Sequence, residues 1–454
     1  MSKIQISDIK KKIIEISPVS LSETSTMREI INALWSLPRD IISDGYDKAL
    51  NELAKILPMK IHEYPTGTEC WTWIIPEKWT CHDAYLETME GQRLFSYNDN
   101  PLHVMSYSIP FEGEVSQETL FKHLYVHPLI PEAIPFMHKY YERDWGLCCS
   151  KLLKESLNDK KYKVKINTEF SNGKLKVGEI VVPGSSENTF VLCAHLCHPA
   201  MVNDDLSGVV VGIEVMRELL SRNNLNYTYR FLIVPETIGS AAYLSHNEHL
   251  IPKMKGGLFL EMLGLDNPHA MQLSFMENTE IDKCLTMILK EHDPNSWTGS
   301  FLTVVLNDER QFNAPGVRVP MLSLSRVLPK TAPERPYPYR EYHSSYDNLD
   351  ITSIDKLKDS CDLVLKMIDA IENNHTPINK YKGEIFLSRY NLHRDWQKSS
   401  EEFKALIKLR QIIFLIDGKH SIAKIAEKCD ISFMATKKII DELYDNNLID
   451  FIKN

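Results

Sequence analysis

The strongest constraint on the fold is a set of long apolar segments that alternate with helical segments in the middle of the chain. Four of them have the pattern of buried strands: TFVLCAH, YRFLIVPE, GGLFLEML and MLSLSRV. Amphipathic segments such as SGVVVGIEVMRELLSRN and IDKLKDSCDLVLKMIDAIENN separate or follow them. Nearly uninterrupted apolar strands are typical of a parallel or mixed sheet covered on both faces. The pattern predicts a doubly wound α/β domain over residues 126–376, with helices on both faces of its sheet.

Three other regions differ in pattern from this core. Residues 1–64 have helical spacing of apolar residues, and we expect them to form a helical part of the same core. Residues 65–125 carry tryptophans in short segments broken by Pro, Gly and Asn, which predicts a small β-rich insertion. Residues 385–454 follow the order helix, helix-turn-helix, strand, which predicts a winged-helix domain.

Charge and composition narrow the classes of function. The chain has 454 residues, of which 43% are hydrophobic and 25% charged, and its formal net charge is −9. This balance is ordinary for a globular protein and disfavours non-specific binding of nucleic acid or of an anionic membrane. Residues 401–454 contain nine Lys/Arg and nine Asp/Glu, without the basic surplus that is typical of DNA-binding domains.

Compartment and assembly are constrained only weakly. The N-terminus MSKIQISDIKKKIIEIS lacks the apolar core of a signal peptide, and no apolar run is long enough to span a membrane. The nine Cys are scattered and form no CxxC pair, so we expect reduced thiols in a cytoplasmic protein. The sequence leaves the oligomeric state open, and a homo-oligomer is compatible with it.

Polar segments rich in potential metal ligands follow the predicted strands. Ligands collect at the carboxyl ends of strands in doubly wound folds, so these side chains are expected to converge. Histidine and carboxylate groups are ordinary zinc ligands. Taken singly, each has a plainer explanation; Asp204 or Asp205, for example, can cap the helix that begins near Ser207. The ligand-type residues are His195, Cys197, His198, Asp204, Glu236, Glu261 and His343.

The order of these segments resembles that of the zinc-dependent aminopeptidases with a co-catalytic metal site. The motifs are Ala194-His195, Asn203-Asp204-Asp205 with Ser207-Gly208, Glu236 with Gly239-Ser240, Glu261-Met262 with Gly264, and His343-Ser344. The chain is most similar to an aminopeptidase-like family with an inserted β-rich lid domain and a C-terminal winged helix. Further similar stretches are Arg143-Asp144-Trp145-Gly146, Asn307-Asp308-Glu309-Arg310-Gln311-Phe312, Ala314-Pro315-Gly316, Arg340-Glu341-Tyr342 and Asp347-Asn348-Leu349.

This resemblance implies a zinc-exopeptidase-like sheet and a role for each matching residue. His195 corresponds to the first metal ligand, and Asp204 corresponds to the carboxylate that bridges the metals. Glu261 stands where the family has an Asp that completes the first metal site, and His343 corresponds to the last ligand. Glu236 corresponds to the general base, which takes a proton from water and delivers it to the leaving amine.

Three departures from the family pattern bear on the number of metals. Two-metal aminopeptidases carry two adjacent Glu, one base and one ligand, whereas this chain has Glu236-Thr237. Glu261 replaces a shorter Asp, and Cys197 replaces the acid that orients the first ligand. We therefore expect either one firmly held Zn²⁺ or a second, weaker site.

Several assignments stay open at this stage. His198 is an alternative to His195 as the ligand, a partner of a ligand, or a substrate contact; we favour His195 as the ligand. Cys197 is a soft zinc donor or a small buried residue.

Two further groups of residues are candidates for contacts with a metal ligand or with the substrate. Asp308, Glu309 and Arg310 form either a buried ion pair or a substrate contact. In the second case an acid binds the α-amine and Arg310 polarises the carbonyl. Tyr342 is a further candidate donor to an oxyanion.

The predicted function is a zinc exopeptidase that removes an N-terminal residue from a peptide or hydrolyses a related amide. The β-rich insertion would limit access to short substrates. One alternative is a binding or regulatory protein on a peptidase scaffold, favoured by Thr237 and the winged helix. Another is a deacylase of a modified sugar or amino acid, since one fold serves several chemistries. A transcription factor with a sensor domain is disfavoured by the balanced charge of residues 401–454.

Overall fold

The computed structural model describes residues 20–329, 337–395 and 397–452. The expectations for the first 19 residues, including the absence of a signal peptide, lie outside this range. The helices are α1 (Met27–Leu34), α2 (Asp44–Leu53), α3 (Gln117–His123), α4 (Lys151–Ser156), α5 (Leu206–Ser221), α6 (Ile238–His246), α7 (Glu280–His292), α8 (Glu309–Asn313), α9 (Ile354–Asn373), α10 (Ser400–Leu415), α11 (Ile422–Cys429) and α12 (Phe433–Asp445).

The strands fall into one large sheet and four smaller ones. They are β1 (Lys60–Pro65), β2 (Glu69–Cys70), β3 (Trp73–Ile74), β4 (Lys78–Thr88), β5 (Arg93–Ser96), β6 (Phe111–Ser116), β7 (Leu124–Tyr125), β8 (Leu147–Cys148), β9 (Lys161–Ser171), β10 (Lys174–Val182), β11 (Thr189–His195), β12 (Thr228–Val234), β13 (Met254–Leu260), β14 (Ala270–Gln272), β15 (Trp297–Gly299), β16 (Met321–Ser325), β17 (Pro377–Asn379) and β18 (Ile449–Phe451).

The large sheet has eight strands in the order β1-β10-β12-β11-β13-β16-β14-β15. Its centre, β12-β11-β13-β16, is parallel, and β10 joins β12 in antiparallel orientation. These four central strands are the four apolar segments that the sequence predicts as strands. The mixed α/β class with a large central sheet is therefore confirmed.

Helix α5 shows how the sequence fixes the packing of this layer. Asp205 begins the helix, because its carboxylate accepts the backbone N–H of Gly208 at 3.0 Å. Gly212 lets the helix approach the sheet closely, since a Cβ there would lie 2.2 Å from Cζ of Phe231 on β12. Helix α5 packs against β11 on one side and α9 on another, so the first ligand-bearing strand is covered by buried apolar side chains.

The β-rich unit is larger than the predicted range of residues 65–125. Its four-stranded sheet has the order β5-β4-β9-β6, so β9 at Lys161–Ser171 is an inner strand of this unit. The burial of β9 alternates along the strand, as in an antiparallel sheet with one face covered. In addition, β1 lies within the region predicted to be helical and pairs with β10 at the edge of the large sheet. The boundaries at residues 64 and 125 therefore do not coincide with those of the sheets.

The C-terminal region contains α10, α11 and α12 together with the two-stranded sheet β17-β18. The elements follow the predicted order, and their assignment as a winged helix stays a prediction. The first turn of α12 packs against α7, where the carboxylate of Glu291 accepts the backbone N–H of Phe433 at 2.7 Å. In helix-turn-helix proteins the corresponding end of the recognition helix contacts bases. Here that end contacts an acidic residue of the core.

None of the helices in the described ranges is both long and apolar enough to cross a membrane.

Candidate metal centre

The candidate centre lies at the carboxyl ends of three neighbouring strands. His195 is the last residue of β11, Glu236 follows the end of β12 by two residues, and Glu261 directly follows β13. Because β11 lies between β12 and β13 in the sheet, these ends are adjacent. The convergence expected from the sequence is therefore present in the fold.

The first cluster consists of His195, Asp204 and Glu261. Nε2 of His195 lies 3.1 Å from Oδ1 of Asp204 and 3.9 Å from Oε1 of Glu261. All three residues are buried, and one ligand atom from each lies within 4.8 Å of the others. Two carboxylates and one imidazole at this spacing form a donor set that zinc commonly takes.

The second cluster consists of His198, Asp204 and His343, and it shares Asp204 with the first cluster. Oδ2 of Asp204 lies 3.4 Å from Nδ1 of His198 and 3.1 Å from Nε2 of His343. Asp204 thus presents one carboxylate oxygen to each cluster. The sequence left His195 and His198 as alternatives, whereas the fold brings both of them to Asp204, on opposite sides of its carboxylate.

The inward-facing atoms of both clusters lack hydrogen-bond partners among the described residues. Buried polar atoms are costly without a partner, and most of them have one in folded proteins. Here the unpartnered buried atoms belong to two groups of ligand-type residues that share Asp204, and the donor types suit zinc in both. These atoms are Nε2 of His195, Nδ1 of His198, Oδ1 and Oδ2 of Asp204, Oε2 of Glu261 and Nε2 of His343.

Glu236 stands beside the second cluster on its open side. Its Oε2 lies 3.1 Å from Nε2 of His198, and its side chain is 25% exposed, whereas the side chain of His198 is 1% exposed. Burial raises the pKa of Glu236, but the hydrogen bond and charge of His198 outweigh burial and lower that pKa to about 2. Glu236 is thus an accessible, ionised carboxylate, which is the form a general base needs.

Asp205 and Asp347 fix the backbone segments that carry the residues of the two clusters. The carboxylate of Asp205 accepts the backbone N–H groups of His195, Gly208 and Met262 at 3.2, 3.0 and 3.2 Å, which ties β11, α5 and the end of β13 together. Of the two adjacent acids, Asp205 therefore caps the helix, and Asp204 faces the clusters.

Asp347 fixes the backbone that carries Asp204. Its two carboxylate oxygens accept the N–H of Asn203 at 2.7 Å and that of Asp204 at 2.9 Å, and one of them also accepts the hydroxyl of Tyr339 at 2.8 Å. Asn307 acts in the same way on the first cluster, because its Nδ2 donates to the carboxylate of Glu261. The sequence placed both residues in family-like stretches without assigning them a role.

Cys197 connects the first cluster with Glu236. Its sulfur accepts the backbone N–H of Glu236 at 3.1 Å and lies 3.9 Å from Nδ1 of His195. The thiol occupies the place, two residues after His195, where the resemblance predicts an orienting acid. Its sulfur also lies within 4.8 Å of a ring nitrogen of His195 and of His198. This geometry is compatible with Cys197 as a metal ligand and with Cys197 as a residue that orients His195.

Arg39 holds the loop that carries His198. This buried guanidinium donates to the carbonyls of Leu196 at 2.8 Å and Met201 at 2.9 Å, and also to those of Leu34 and Trp35. Within the loop, His198 and Ala200 have positive φ values of 95° and 52°, which residues other than glycine rarely adopt. No pattern in the sequence pointed to Arg39.

Three further predicted residues line the same end of the sheet. Asp308 is fully buried and accepts the N–H of Thr237 at 2.9 Å and the hydroxyl of Ser240. Arg310 donates from Nη2 to Oγ1 of Thr237 at 3.2 Å. The ring of Tyr342 stacks on that of His343, with centroids 3.9 Å apart.

The ion-pair alternative for residues 308–310 is not realised. Among the ion pairs of the described residues, none joins Arg310 to Asp308 or Glu309. The carboxylate of Glu309 accepts the N–H of Asn307 at 3.0 Å instead.

The fold and the arrangement at the strand ends define the class of this protein, which has an aminopeptidase-like peptidase fold. BSAP, a zinc aminopeptidase from Bacillus subtilis, matches 76% of this chain and 94% of its own at 13% identity, with a TM-score of 0.55. A peptidase M28 precursor from Shewanella amazonensis covers 77% of this chain and 93% of its own at 14% identity, with a TM-score of 0.53. At these identities the similarity establishes the fold alone.

The family follows from closer matches. Residues 28–374 match the family described as "Domain of unknown function (DUF4910)", and the chain belongs to this family. A Clostridium acetobutylicum protein named "Putative polysaccharide biosynthesis protein with aminopeptidase-like domain" is 32% identical over 96% of this chain and 100% of its own length. A crystal structure of a "putative peptidase" from Clostridium acetobutylicum is 30% identical, covers 94% of this chain and 96% of its own, and has a TM-score of 0.82.

Proposed function

We propose that this protein is a zinc-dependent hydrolase of the aminopeptidase type, which cleaves an N-terminal residue from a peptide or a related amide. One observation carries the proposal: unpartnered imidazole and carboxylate atoms lie on both sides of Asp204, and the partly exposed carboxylate of Glu236 lies beside them, 3.1 Å from Nε2 of His198. The aminopeptidase-like name of the relative and the zinc aminopeptidase with the same fold support the same chemistry.

The residues of the two clusters would hold the metal. His195, Asp204 and Glu261 would bind one zinc ion. His198 and His343 would bind a second ion together with the other oxygen of Asp204. When bound, zinc supplies Lewis acidity: it polarises a scissile carbonyl and makes water more acidic.

The remaining residues act on the proton and on the developing charge. Glu236 takes the proton of the attacking water and later delivers it to the leaving nitrogen. Burial and the charges of Asp204 and Glu236 raise the pKa of Tyr342 well above its usual value, so its hydroxyl stays protonated. A protonated hydroxyl beside His343 can donate to an oxyanion, which is the group that needs stabilisation in amide hydrolysis.

A binding or regulatory protein on the same scaffold is the second candidate, and Thr237 favours it. Threonine supplies no carboxylate at the position where the related two-metal enzymes carry a ligand acid. The accessible carboxylate of Glu236 supports the enzyme instead, because a protein that only binds has no use for a general base.

The experiment combines metal analysis with a panel of aminoacyl-nitroanilides and dipeptides, assayed before and after chelation. The proposal predicts at least one bound zinc per chain, turnover of some panel members, and loss of turnover on chelation that zinc restores. Zinc binding without turnover of any substrate would favour the second candidate. Absence of zinc from the full chain under saturating conditions would rule out the zinc-dependent hydrolase.

A further inference from the structure

Arg310 is a cation at the centre with unused hydrogen-bond donors. Its Nε donates to the carbonyl of Asn307 at 3.0 Å, and its Nη2 donates to Thr237 at 3.2 Å. A guanidinium carries five N–H donors in a rigid fork, so these two bonds leave three of them free. No carboxylate of the described residues pairs with Arg310, and its side chain is only partly buried.

Three other partly or fully buried arginines of the described chain bind backbone carbonyls or a carboxylate. Arg39 donates to four backbone carbonyls, and Arg326 pairs with Asp359. Arg230 is paired in the same way with Glu179. Arg310 differs from Arg230 and Arg326 in having no carboxylate partner, and from Arg39 in making two hydrogen bonds rather than four.

The position of Arg310 relative to the general base is set by the turn after β12. Thr237, which holds one end of the guanidinium, directly follows Glu236. The backbone of Thr237 is held by Asp308, which also begins α8, the helix that carries Arg310. Glu236 and Arg310 are therefore held at the same turn. Moving the guanidinium of Arg310 away from this turn would break its hydrogen bond to Thr237.

We propose that Arg310 binds a carboxylate of the substrate on the leaving-group side of the scissile amide. This inference rests on the proposed function, in which Glu236 delivers a proton to the leaving nitrogen. In a leaving amino acid, the carbon of the α-carboxylate is two bonds from that nitrogen. A cation held against Thr237, the residue after Glu236, is therefore suitably placed to bind this carboxylate. The planar fork of arginine pairs with carboxylates through parallel hydrogen bonds.

The substrate class is therefore a short amide whose leaving group is an amino acid with a free carboxylate. Two sources share this chemistry. A dipeptide offers a free amine on the acyl side, and an N-acyl amino acid does not. A peptide amide or a longer peptide has no free carboxylate on the leaving residue and would leave three N–H donors of Arg310 unpaired. A site built to hydrogen-bond a carboxylate is therefore expected to hydrolyse such substrates less efficiently.

The test compares three substrates on the zinc-loaded full chain: Leu-Ala, Leu-Ala amide and N-acetyl-Ala. The quantity is the ratio of kcat/KM for Leu-Ala to that for Leu-Ala amide, in the natural protein and in Arg310→Met. We expect the natural protein to prefer the free acid, and Arg310→Met to lower the ratio by about 10- to 100-fold, the range of a charge-assisted pair. Arg310→Lys is expected to restore part of the ratio, because it keeps the charge and loses the fork.

Arg318→Met is the matched control, since Arg318 lies beyond the end of α8, packs over the ring of Phe275 and donates to the carbonyl of Asn313 at 2.9 Å. It should leave the ratio unchanged. A natural protein that hydrolyses acid and amide equally well, or an Arg310→Met variant with an unchanged ratio, would overturn the inference and leave the proposed function intact. Turnover of N-acetyl-Ala in preference to Leu-Ala would assign the carboxylate to an acylated amino acid.

Calorimetric binding of Leu-Ala and Leu-Ala amide keeps the inference testable if no substrate is turned over. Tighter binding of the acid that Arg310→Met abolishes would support the carboxylate site while the proposed hydrolysis fails. Equal binding of the two ligands, or binding of neither, together with absence of turnover would overturn both.

Discussion

His198 lies between Glu236 and Asp204: its Nε2 lies 3.1 Å from Oε2 of Glu236, and its Nδ1 lies 3.4 Å from Oδ2 of Asp204. An imidazole can serve two partners at once only through its two different nitrogens. If Nδ1 binds a metal, Nε2 would carry the hydrogen that Glu236 accepts. The position of the Glu236 carboxylate and metal binding by the second cluster are therefore coupled through the ring of His198.

Asp204 is the shared ligand, so its replacement should affect both clusters. Asp204→Asn keeps the shape of the side chain and removes its charge, and we expect zinc to be lost from the whole centre. His343→Ala should remove only the second cluster's zinc. The measurement is zinc content per chain by mass spectrometry after dialysis against a fixed free zinc concentration.

The control for this series is Asp266→Asn, an exposed acid that pairs with Lys356 outside the centre. It should bind zinc like the natural protein. Equal zinc content in Asp204→Asn and the natural protein would contradict the shared-ligand geometry.

Cys197 orients His195 and the backbone of Glu236, and we expect its removal to weaken zinc binding. Cys197→Ala should raise the dissociation constant for zinc by about 10- to 100-fold, the usual effect of losing a group that orients a ligand. Cys197→Asp should bind zinc more tightly than Cys197→Ala, because a carboxylate can accept the hydrogen of Nδ1 of His195. Competition with a chromogenic chelator measures both constants.

Cys193→Ala is the matched control, since Cys193 is buried on β11, the strand that ends at His195, and lies outside both clusters. If Cys197→Ala and Cys193→Ala bind zinc alike, Cys197 has no orienting role.

Arg39 stabilises the loop that carries His198, and its loss should cost stability as well as zinc affinity. Arg39→Met removes a side-chain donor from four backbone carbonyls, and we expect the free energy of unfolding to fall by about 3 kcal/mol. Urea unfolding monitored by tryptophan fluorescence measures the change. Arg28→Met, at an exposed position of α1, should stay within about 0.5 kcal/mol of the natural protein. A loss for Arg39→Met no larger than that of Arg28→Met would show that the loop does not depend on this clamp.

The central strands and the cluster residues at their ends could both be predicted from the sequence, because both follow from the apolar pattern of the strands. Strands β11, β12 and β13 are apolar along their length, so their ends, with His195, Glu236 and Glu261, could be located from local pattern alone. The joint order of these segments then separated ligand-type residues from ordinary turn and cap residues.

The rest depended on contacts between distant residues. Strand β9 alternates along its length, but no local signal tells which of two sheets it joins. Arg39 lies 157 residues from the carbonyl of Leu196 that it binds, and such a pairing leaves no periodic trace. The sequence predicts His195 in preference to His198, whereas in the fold both rings lie within 3.4 Å of the carboxylate of Asp204.

The most direct test of the account is the turnover of a peptide by zinc-loaded Glu236→Gln beside the natural protein at equal zinc content. Glutamine keeps the hydrogen-bonding shape but cannot take a proton, so we expect kcat to fall by at least about 100-fold with zinc binding preserved. A kcat for Glu236→Gln within a few-fold of the natural value would contradict the assignment of Glu236 as the general base of this centre.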